Sequence, residues 1–214
     1  MLRRFRGRER LVALIGDWSL GEALIAFEPS RTLVTLDEFD LPATQGSGFG
    51  GGWIGAFGYQ FGRHFEELGG TPHRPFPQAD LRFGFYELTL RCAQGTWFLD
   101  SLGPPDPDAR IAILTALERP AEPQNFALTP FAMRPDPADH MAGIERVLEH
   151  INAGDIFQAN LCTRIEAQFE GDPLDVFCQG VEALSPAYAA FISGPEGAIA
   201  SFSPELFLRK SGDS

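Results

Sequence analysis

Residues 154–164 read GDIFQANLCTR, and the prediction of the fold starts from this stretch. Apolar and polar side chains alternate along it, which predicts a β-strand because successive side chains of a strand point to opposite faces. One face carries Gln158, Asn160, Cys162 and Arg164. Two interpretations stay open for that face: the solvated side of an antiparallel sheet, or a pocket wall that hydrogen-bonds a polar ligand.

Three Asp-Pro pairs predict helices that flank this strand, at residues 106–107, 136–137 and 172–173. Aspartate is a favoured N-cap, and proline fits the first helical position. The second helix has an apolar stripe, formed by Met141, Ile144, Leu148 and Ile151. Gly154 follows this helix at the position of a C-terminal cap. The helix therefore leads directly into the predicted strand.

The remaining segments predict short strands joined by Gly-rich and Pro-rich turns. The predicted strands are a meander over 11–15, 22–27 and 32–36, a hairpin of 81–92 with 96–101, a hairpin of 188–192 with 198–202, and a last strand over 206–210. The Pro-rich segment 119–135 is the best internal boundary. It divides the chain into predicted regions 1–130 and 136–214.

Charge and length exclude several classes of partner. The 214-residue chain has 17 basic and 29 acidic side chains, a net charge of −12. This balance disfavours nucleic acid and anionic membranes as partners. No apolar run is long enough to span a bilayer. The Arg-rich start does not predict export, because the apolar run at 11–15 is short and lacks a small-residue cleavage site.

Cysteine and histidine usage points to a cytoplasmic protein without a zinc site. The three cysteines are far apart and form no C-x-x-C motif, which is typical of reduced thiols. The four histidines lack metal-ligand spacing. We therefore expect no zinc ligands within this chain.

The segment 46–62 is rich in glycine and aromatic residues. Its Gly46, Gly48 and Gly51 match G-x-G-x-x-G formally, but a dinucleotide site needs a strand before this motif and a helix after it. Here a polar loop precedes it, and a glycine-studded strand over 53–59 is predicted to follow. The glycines are better explained by close approach of another backbone or a ligand.

Ser203, Pro204 and Glu205 separate two predicted strands. Pro204 fixes the local backbone and cannot donate to a ladder. A carboxylate held at Glu205 could act as a general acid if burial raised its pKa. The alternative is an ordinary surface glutamate in a turn.

Three segments together resemble the chorismate-utilising enzymes: GGWIGAFGYQFG at 51–62, GDIFQANLCTR at 154–164, and YAAFISGPEGAIASFSPELFL at 188–208. This group includes component I of aminodeoxychorismate synthase, component I of anthranilate synthase, and the isochorismate and salicylate synthases. The resemblance spans nearly the whole chain. DIFQANL is most similar to the aminodeoxychorismate synthases. The main alternatives are component I of anthranilate synthase and a truncated, non-catalytic binding subunit.

The resemblance implies an α+β fold in which antiparallel sheets pack face to face with helices outside. It implies chorismate as substrate, bound with Mg²⁺, and a glutamine amidotransferase subunit that delivers ammonia to form 4-amino-4-deoxychorismate. Glu205 matches the general acid that acts on the departing 4-hydroxyl. Gln158, Asn160 and Ser203 become substrate-binding candidates. Isochorismate-forming relatives carry a basic lysine at the position of Gln158, and a neutral amide cannot replace it.

The chain departs from the family pattern in two respects. The PIKGT lysine and the metal-binding glutamates are expected beyond Ser214, so we expect residues 1–214 to be the N-terminal part of a longer protein and inactive alone. The resemblance also implies that Tyr188 falls in the pocket that holds tryptophan in some relatives. Ala187 precedes it where proline is usual, and the 16–21 connection is short. Feedback inhibition by tryptophan is therefore not expected.

Overall fold

The computed structural model describes residues 1–18, 21–40, 49–67, 69–70, 76 and 78–210. The chain divides into two compact units. The first comprises Met1–Pro123 and Pro173–Ser214, and the second comprises Gln124–Asp172. These units do not coincide with the regions 1–130 and 136–214, whose boundary stays a prediction.

The first unit contains most of the strands. Its elements are β1 (Val12–Gly16), β2 (Ala23–Ala26), β3 (Arg31–Thr32), β4 (Gly52–Phe57), β5 (Leu81–Tyr86), β6 (Leu88–Ala93), β7 (Thr96–Ser101) and α1 (Pro107–Leu117). The second unit contains β8 (Ala127–Leu128), β9 (Ala132–Arg134), α2 (Pro137–Ala153), β10 (Arg164–Glu166) and β11 (Phe169–Glu170). The chain then returns to the first unit with α3 (Pro173–Leu184), β12 (Tyr188–Gly194) and β13 (Gly197–Ser203).

Among the described residues, six strands form an antiparallel sheet in the order β13-β12-β1-β2-β6-β7. The central strand β1 pairs with β12 through Ala13 opposite Phe191, and with β2 through Ala13 opposite Ile25. These side chains share one face of the sheet. They pack against α1, α3 and the 3-10 helix at Leu2–Phe5, so the helices cover this face.

The opposite face of the same sheet packs on a second sheet, in the order β3-β5-β4. Alternate residues of the central strands, Val12 and Leu24, face this way because side chains alternate along a strand. They contact Ile54 of β4 and Tyr86 of β5 in one buried cluster. Two antiparallel sheets thus pack face to face with helices outside, which confirms the predicted α+β fold.

Several strand predictions need correction. The predicted meander is wrong in its third strand, because β3 pairs with β5 of the second sheet instead of continuing beside β2. The predicted strand 81–92 is interrupted at Glu87, and β5 and β6 on its two sides belong to different sheets. Residues 206–210 form no strand. Gly46, Gly48 and the predicted turn at 211–213 lie outside the described residues.

Both the N-cap and the C-cap predicted for α2 are confirmed. The Asp136 carboxylate accepts a hydrogen bond from the backbone N–H of Asp139, 2.9 Å away. Gly154 adopts φ +81°, the left-handed conformation of a C-terminal cap. The apolar stripe, however, is not buried within the described residues: Met141 is 56% exposed and Leu148 is 52% exposed.

The predicted strand over 154–164 is wrong for most of its length. Only Arg164 belongs to a strand, β10, which pairs with β9. Residues 155–163 instead run back along α2. The Leu161 side chain lies over Gly143, the Thr163 hydroxyl is 3.1 Å from His140 Nδ1, and Asp155 is 2.8 Å from His150 Nδ1. A strand needs a partner for its backbone N–H and C=O groups, and β9 offers one only opposite Arg164–Glu166.

Candidate functional site

The candidate general acid, Glu205, lies directly after β13 in a turn built around Ser203. The Ser203 hydroxyl donates a hydrogen bond to the Glu205 carbonyl, 2.9 Å away, and accepts one from the Glu205 backbone N–H at 3.4 Å. Pro204 has no N–H to continue the β-ladder, so the strand ends here and the turn begins. The Glu205 side chain is exposed. The turn orients its backbone, and the carboxylate stays free to meet a reacting group.

The Ser203 hydroxyl is hydrogen-bonded within this turn, to the backbone of Glu205. It lies opposite Tyr188 in the pairing of β12 with β13. Its predicted role in substrate binding stays a prediction, because the hydroxyl already contacts two backbone groups of Glu205.

Tyr188 lies at the start of β12 and packs against Trp18, which follows β1. The Trp18 indole meets the Tyr188 ring edge to face, with ring centroids 5.5 Å apart. The indole N–H of Trp18 donates to the Ala189 carbonyl at 3.0 Å. The Asp17 backbone N–H also donates to the Ala187 carbonyl at 2.7 Å. An indole of the chain itself therefore occupies one side of Tyr188.

Trp18 was missed by the sequence reasoning. A tryptophan beside a Gly-Asp turn gives no pattern of its own, and its contact partner lies 170 residues further along the chain. The structure also joins Asp17 to the segment after Glu205, since Arg209 donates to the Asp17 carbonyl at 3.0 Å. Asp17, just after β1, is thus bonded both to the residue before β12 and to the segment that follows β13.

Gln158 and Asn160 belong to the second unit, whereas Ser203, Glu205 and Tyr188 belong to the first. Both amides are exposed in the irregular segment that runs along α2. Neither therefore lines a sheet face, as the strand interpretation required. Their role in binding substrate stays a prediction.

The structure contains no ready metal centre in the part of the chain that it describes. There, no group of three or more His, Cys, Asp or Glu side chains is arranged to hold a metal ion. No helix among them is long and apolar enough to cross a membrane.

Comparison with known protein families shows the family to which this chain belongs. Residues 7–214 match the family described as chorismate binding enzyme. The chain belongs to this family. The match includes the turn at Glu205, the segment with Gln158 and Asn160, and the strand that starts at Tyr188.

Similar proteins carry two related names. Aminodeoxychorismate synthase component 1 of Salmonella typhimurium is 32% identical over 75% of this chain and 36% of its own length. The protein of that name from Klebsiella aerogenes is 33% identical over 77% of this chain and 37% of its own length. Anthranilate synthase component 1 of Streptomyces coelicolor is 31% identical over 77% of this chain and 37% of its own length. The chain thus spans less than two fifths of these relatives.

A solved structure shares the fold. The crystal structure of anthranilate synthase component I from Streptococcus pneumoniae superposes with a TM-score of 0.68, at 21% identity. The superposition covers 91% of this chain and 48% of the other. The packed sheets and outer helices described above are therefore the fold of the corresponding part of that protein.

Proposed function

We propose that this chain is the N-terminal part of an aminodeoxychorismate synthase component I. Such an enzyme converts chorismate and ammonia to 4-amino-4-deoxychorismate. The observation that carries the proposal is the family match over residues 7–214, together with two relatives of that name at 32% and 33% identity. The DIFQANL segment supports it from the sequence.

Glu205 is proposed to protonate the departing 4-hydroxyl of chorismate. General acids contribute through a positioned proton, and the Ser203 turn supplies position by hydrogen-bonding both backbone groups of Glu205. The carboxylate is exposed among the described residues, so the burial on which this role depends must come from the bound substrate. Ser203 itself then acts mainly by holding the turn.

Gln158 and Asn160 are proposed to hydrogen-bond the polar groups of chorismate. An amide offers both a donor and an acceptor but cannot remove a proton from water. Gln158 therefore disfavours hydroxylation of the ring and favours ammonia as the nucleophile. Ammonia would come from a glutamine amidotransferase subunit, in the cytoplasm.

Mg²⁺ is part of this proposal only through ligands outside residues 1–214. When bound, Mg²⁺ would neutralise a carboxylate of chorismate. Glu205 supplies its proton independently of that contact.

A second candidate is component I of anthranilate synthase, favoured by the relative from Streptomyces coelicolor. The two reactions differ in one product, because formation of anthranilate also eliminates pyruvate. The full-length protein should be incubated with chorismate, Mg²⁺ and ammonium, and its products separated. We expect 4-amino-4-deoxychorismate without stoichiometric pyruvate. Anthranilate with equal pyruvate would replace the first proposal by the second, and no consumption of chorismate would favour a non-catalytic binding subunit.

We also propose that tryptophan does not regulate this protein. The Trp18 indole already lies against Tyr188, and its N–H is bonded to the Ala189 carbonyl. Chorismate turnover should therefore stay unchanged when about 1 mM tryptophan, an excess over typical ligand affinities, is added. The variant Trp18→Ala removes the indole from this space, and it therefore tests whether Trp18 is what prevents regulation by tryptophan. Inhibition of the unaltered protein by tryptophan would contradict the proposal.

A further inference from the structure

A cavity of about 620 Å³ lies in the first unit, away from the turn at Glu205. Its walls come from the segment after β3, from β5, and from the β12–β13 hairpin turn at Pro195 and Glu196. Gly194 and Gly197 pair at this turn, whereas Tyr188 and Ser203 pair at the other end of the hairpin. With roughly 3.4 Å per residue, the two ends are about 20 Å apart. The cavity volume is in the range of small-molecule sites, roughly 300–1,000 Å³.

Arg82 of β5 lines this cavity and is only 7% exposed. One amino group of its guanidinium, Nη2, donates to the Gly197 carbonyl. The other, Nη1, is buried and has no hydrogen-bond partner among the residues that the structure describes. No carboxylate of the described residues lies within ion-pair distance of Arg82. A buried cation with an unused donor is costly, and an anionic ligand would satisfy it.

Packing fixes the guanidinium in place. Gly194 lies so close that a Cβ there would be 2.9 Å from Nη2, so the turn itself makes room for the arginine. Burial lowers the pKa of Arg82, the charge of Glu196 raises it, and the charge of Arg10 lowers it. An arginine nevertheless stays charged at neutral pH. The position is therefore a preorganised positive charge.

Arg10 also lines this cavity, its charge acts on Arg82, and its guanidinium Nε lies 3.9 Å from the exposed Glu9 carboxylate. Its backbone is held there because the Tyr86 hydroxyl donates to the Arg10 carbonyl at 2.7 Å. Two like charges facing one space repel each other, and an anion between them would relieve that repulsion. Phe61, Phe83 and Leu36 give the cavity an apolar part.

The acidic residues of the lining limit the ligand's charge. Asp37, Asp80 and Glu196 also face the cavity. The Glu196 carboxylate is engaged, since it accepts a hydrogen bond from the Ala79 backbone N–H at 2.9 Å. A nucleotide or another polyanion would meet these carboxylates. One anionic group on a compact, mostly apolar body fits the mixture of charges better.

We propose that this cavity binds a small organic acid, with one carboxylate or phosphate group at Arg82 and Arg10 and an apolar body against Phe61 and Phe83. Binding at this cavity does not require the reaction proposed for Glu205. The site lies at the opposite end of the β12–β13 hairpin from Ser203. Binding there would connect a small metabolite with the sheet that carries the candidate general acid.

The test uses benzoate and phenyl phosphate as probes, with benzamide as the uncharged counterpart of benzoate. Binding to the full-length protein is measured by isothermal titration calorimetry. We expect at least one of the two anions to bind about tenfold or more tightly than benzamide, the difference typical of a hydrogen bond to a charged partner. If neither anion binds, or if benzamide binds equally well, the proposal is overturned.

Three variants locate the binding. Arg82→Met should weaken binding of the anion about tenfold or more. Thr35→Trp should abolish it by filling the cavity from its exposed wall, and this variant keeps the test decisive if Arg82→Met fails to fold. Arg110→Met removes an exposed arginine of α1 outside the cavity and should bind like the unaltered protein. Equal affinity in the parent protein and Thr35→Trp would mean adventitious binding elsewhere and would overturn the proposal.

Discussion

The Asp175 carboxylate is completely buried in the first turn of α3, and two arginines of the N-terminus contact it. Arg3 Nε lies 3.0 Å from one carboxylate oxygen, and Arg6 Nη1 lies 2.7 Å from the other. Arg4 donates to the Leu117 and Arg119 carbonyls at the end of α1, where a positive charge also complements the helix dipole. The arginines at the start of the chain thus bind this segment to both α1 and α3.

Replacing Asp175 by Asn should destabilise the protein by about 3 kcal/mol, because it removes the completely buried carboxylate that two half-buried arginines contact. The free energy of unfolding in urea measures this effect. Glu182→Gln is the matched control: Glu182 also contacts Arg3, at 3.4 Å, but is 68% exposed. Exposed pairs contribute only about 0–1 kcal/mol. Equal losses in both variants would contradict the role given to Asp175.

The three cysteines should differ in reactivity towards a thiol reagent such as DTNB. Burial, and for Cys92 also the Glu22 carboxylate, raise the pKa of the Cys92 and Cys178 thiols. A raised pKa leaves less thiolate at a given pH, so these two should react slowly at pH 8 and faster at higher pH. Cys162 is exposed and should react first. A Cys162→Ala variant that kept the fast phase would contradict this assignment.

At the scale of elements, signals local in sequence predicted the helices. Whether a segment forms a strand depended on pairing with segments distant in sequence. Asp136, its proline neighbour and Gly154 are all local capping signals, and each takes the predicted position in α2. The alternation in 154–164 was equally clear, yet a strand also needs a neighbour to pair with. The hairpin of β12 and β13 was predicted correctly because its partner is adjacent in sequence.

Gly154→Ala should destabilise the α2 cap by about 1 kcal/mol, since φ +81° is strained for a residue with a Cβ. A Cβ would meet no atom within 4 Å there, so the cost is conformational and not a clash. Urea unfolding followed by circular dichroism at 222 nm measures it. Asn152→Ala, an exposed position inside α2, should leave the stability unchanged or slightly higher. A neutral Gly154→Ala variant would contradict the importance of the cap.

For the whole molecule, the sequence led to the α+β class and to the face-to-face packing through the family resemblance. It did not predict which strands join which sheet. The break at Glu87 sends β5 and β6 into separate sheets, and no local pattern marks it. The site residues stay predictions: the Ser203 hydroxyl bonds the backbone of Glu205, whose carboxylate is exposed, and Gln158 and Asn160 lie outside any regular strand.

Turnover of chorismate by Glu205→Gln tests the central claim most directly, because this change keeps the shape of the side chain and removes its acidic proton. Production of 4-amino-4-deoxychorismate by the full-length protein should fall about 100-fold or more in kcat, with KM little changed. The control Glu182→Gln should keep its activity. Unchanged turnover in Glu205→Gln would remove Glu205 from the role of general acid and contradict the account.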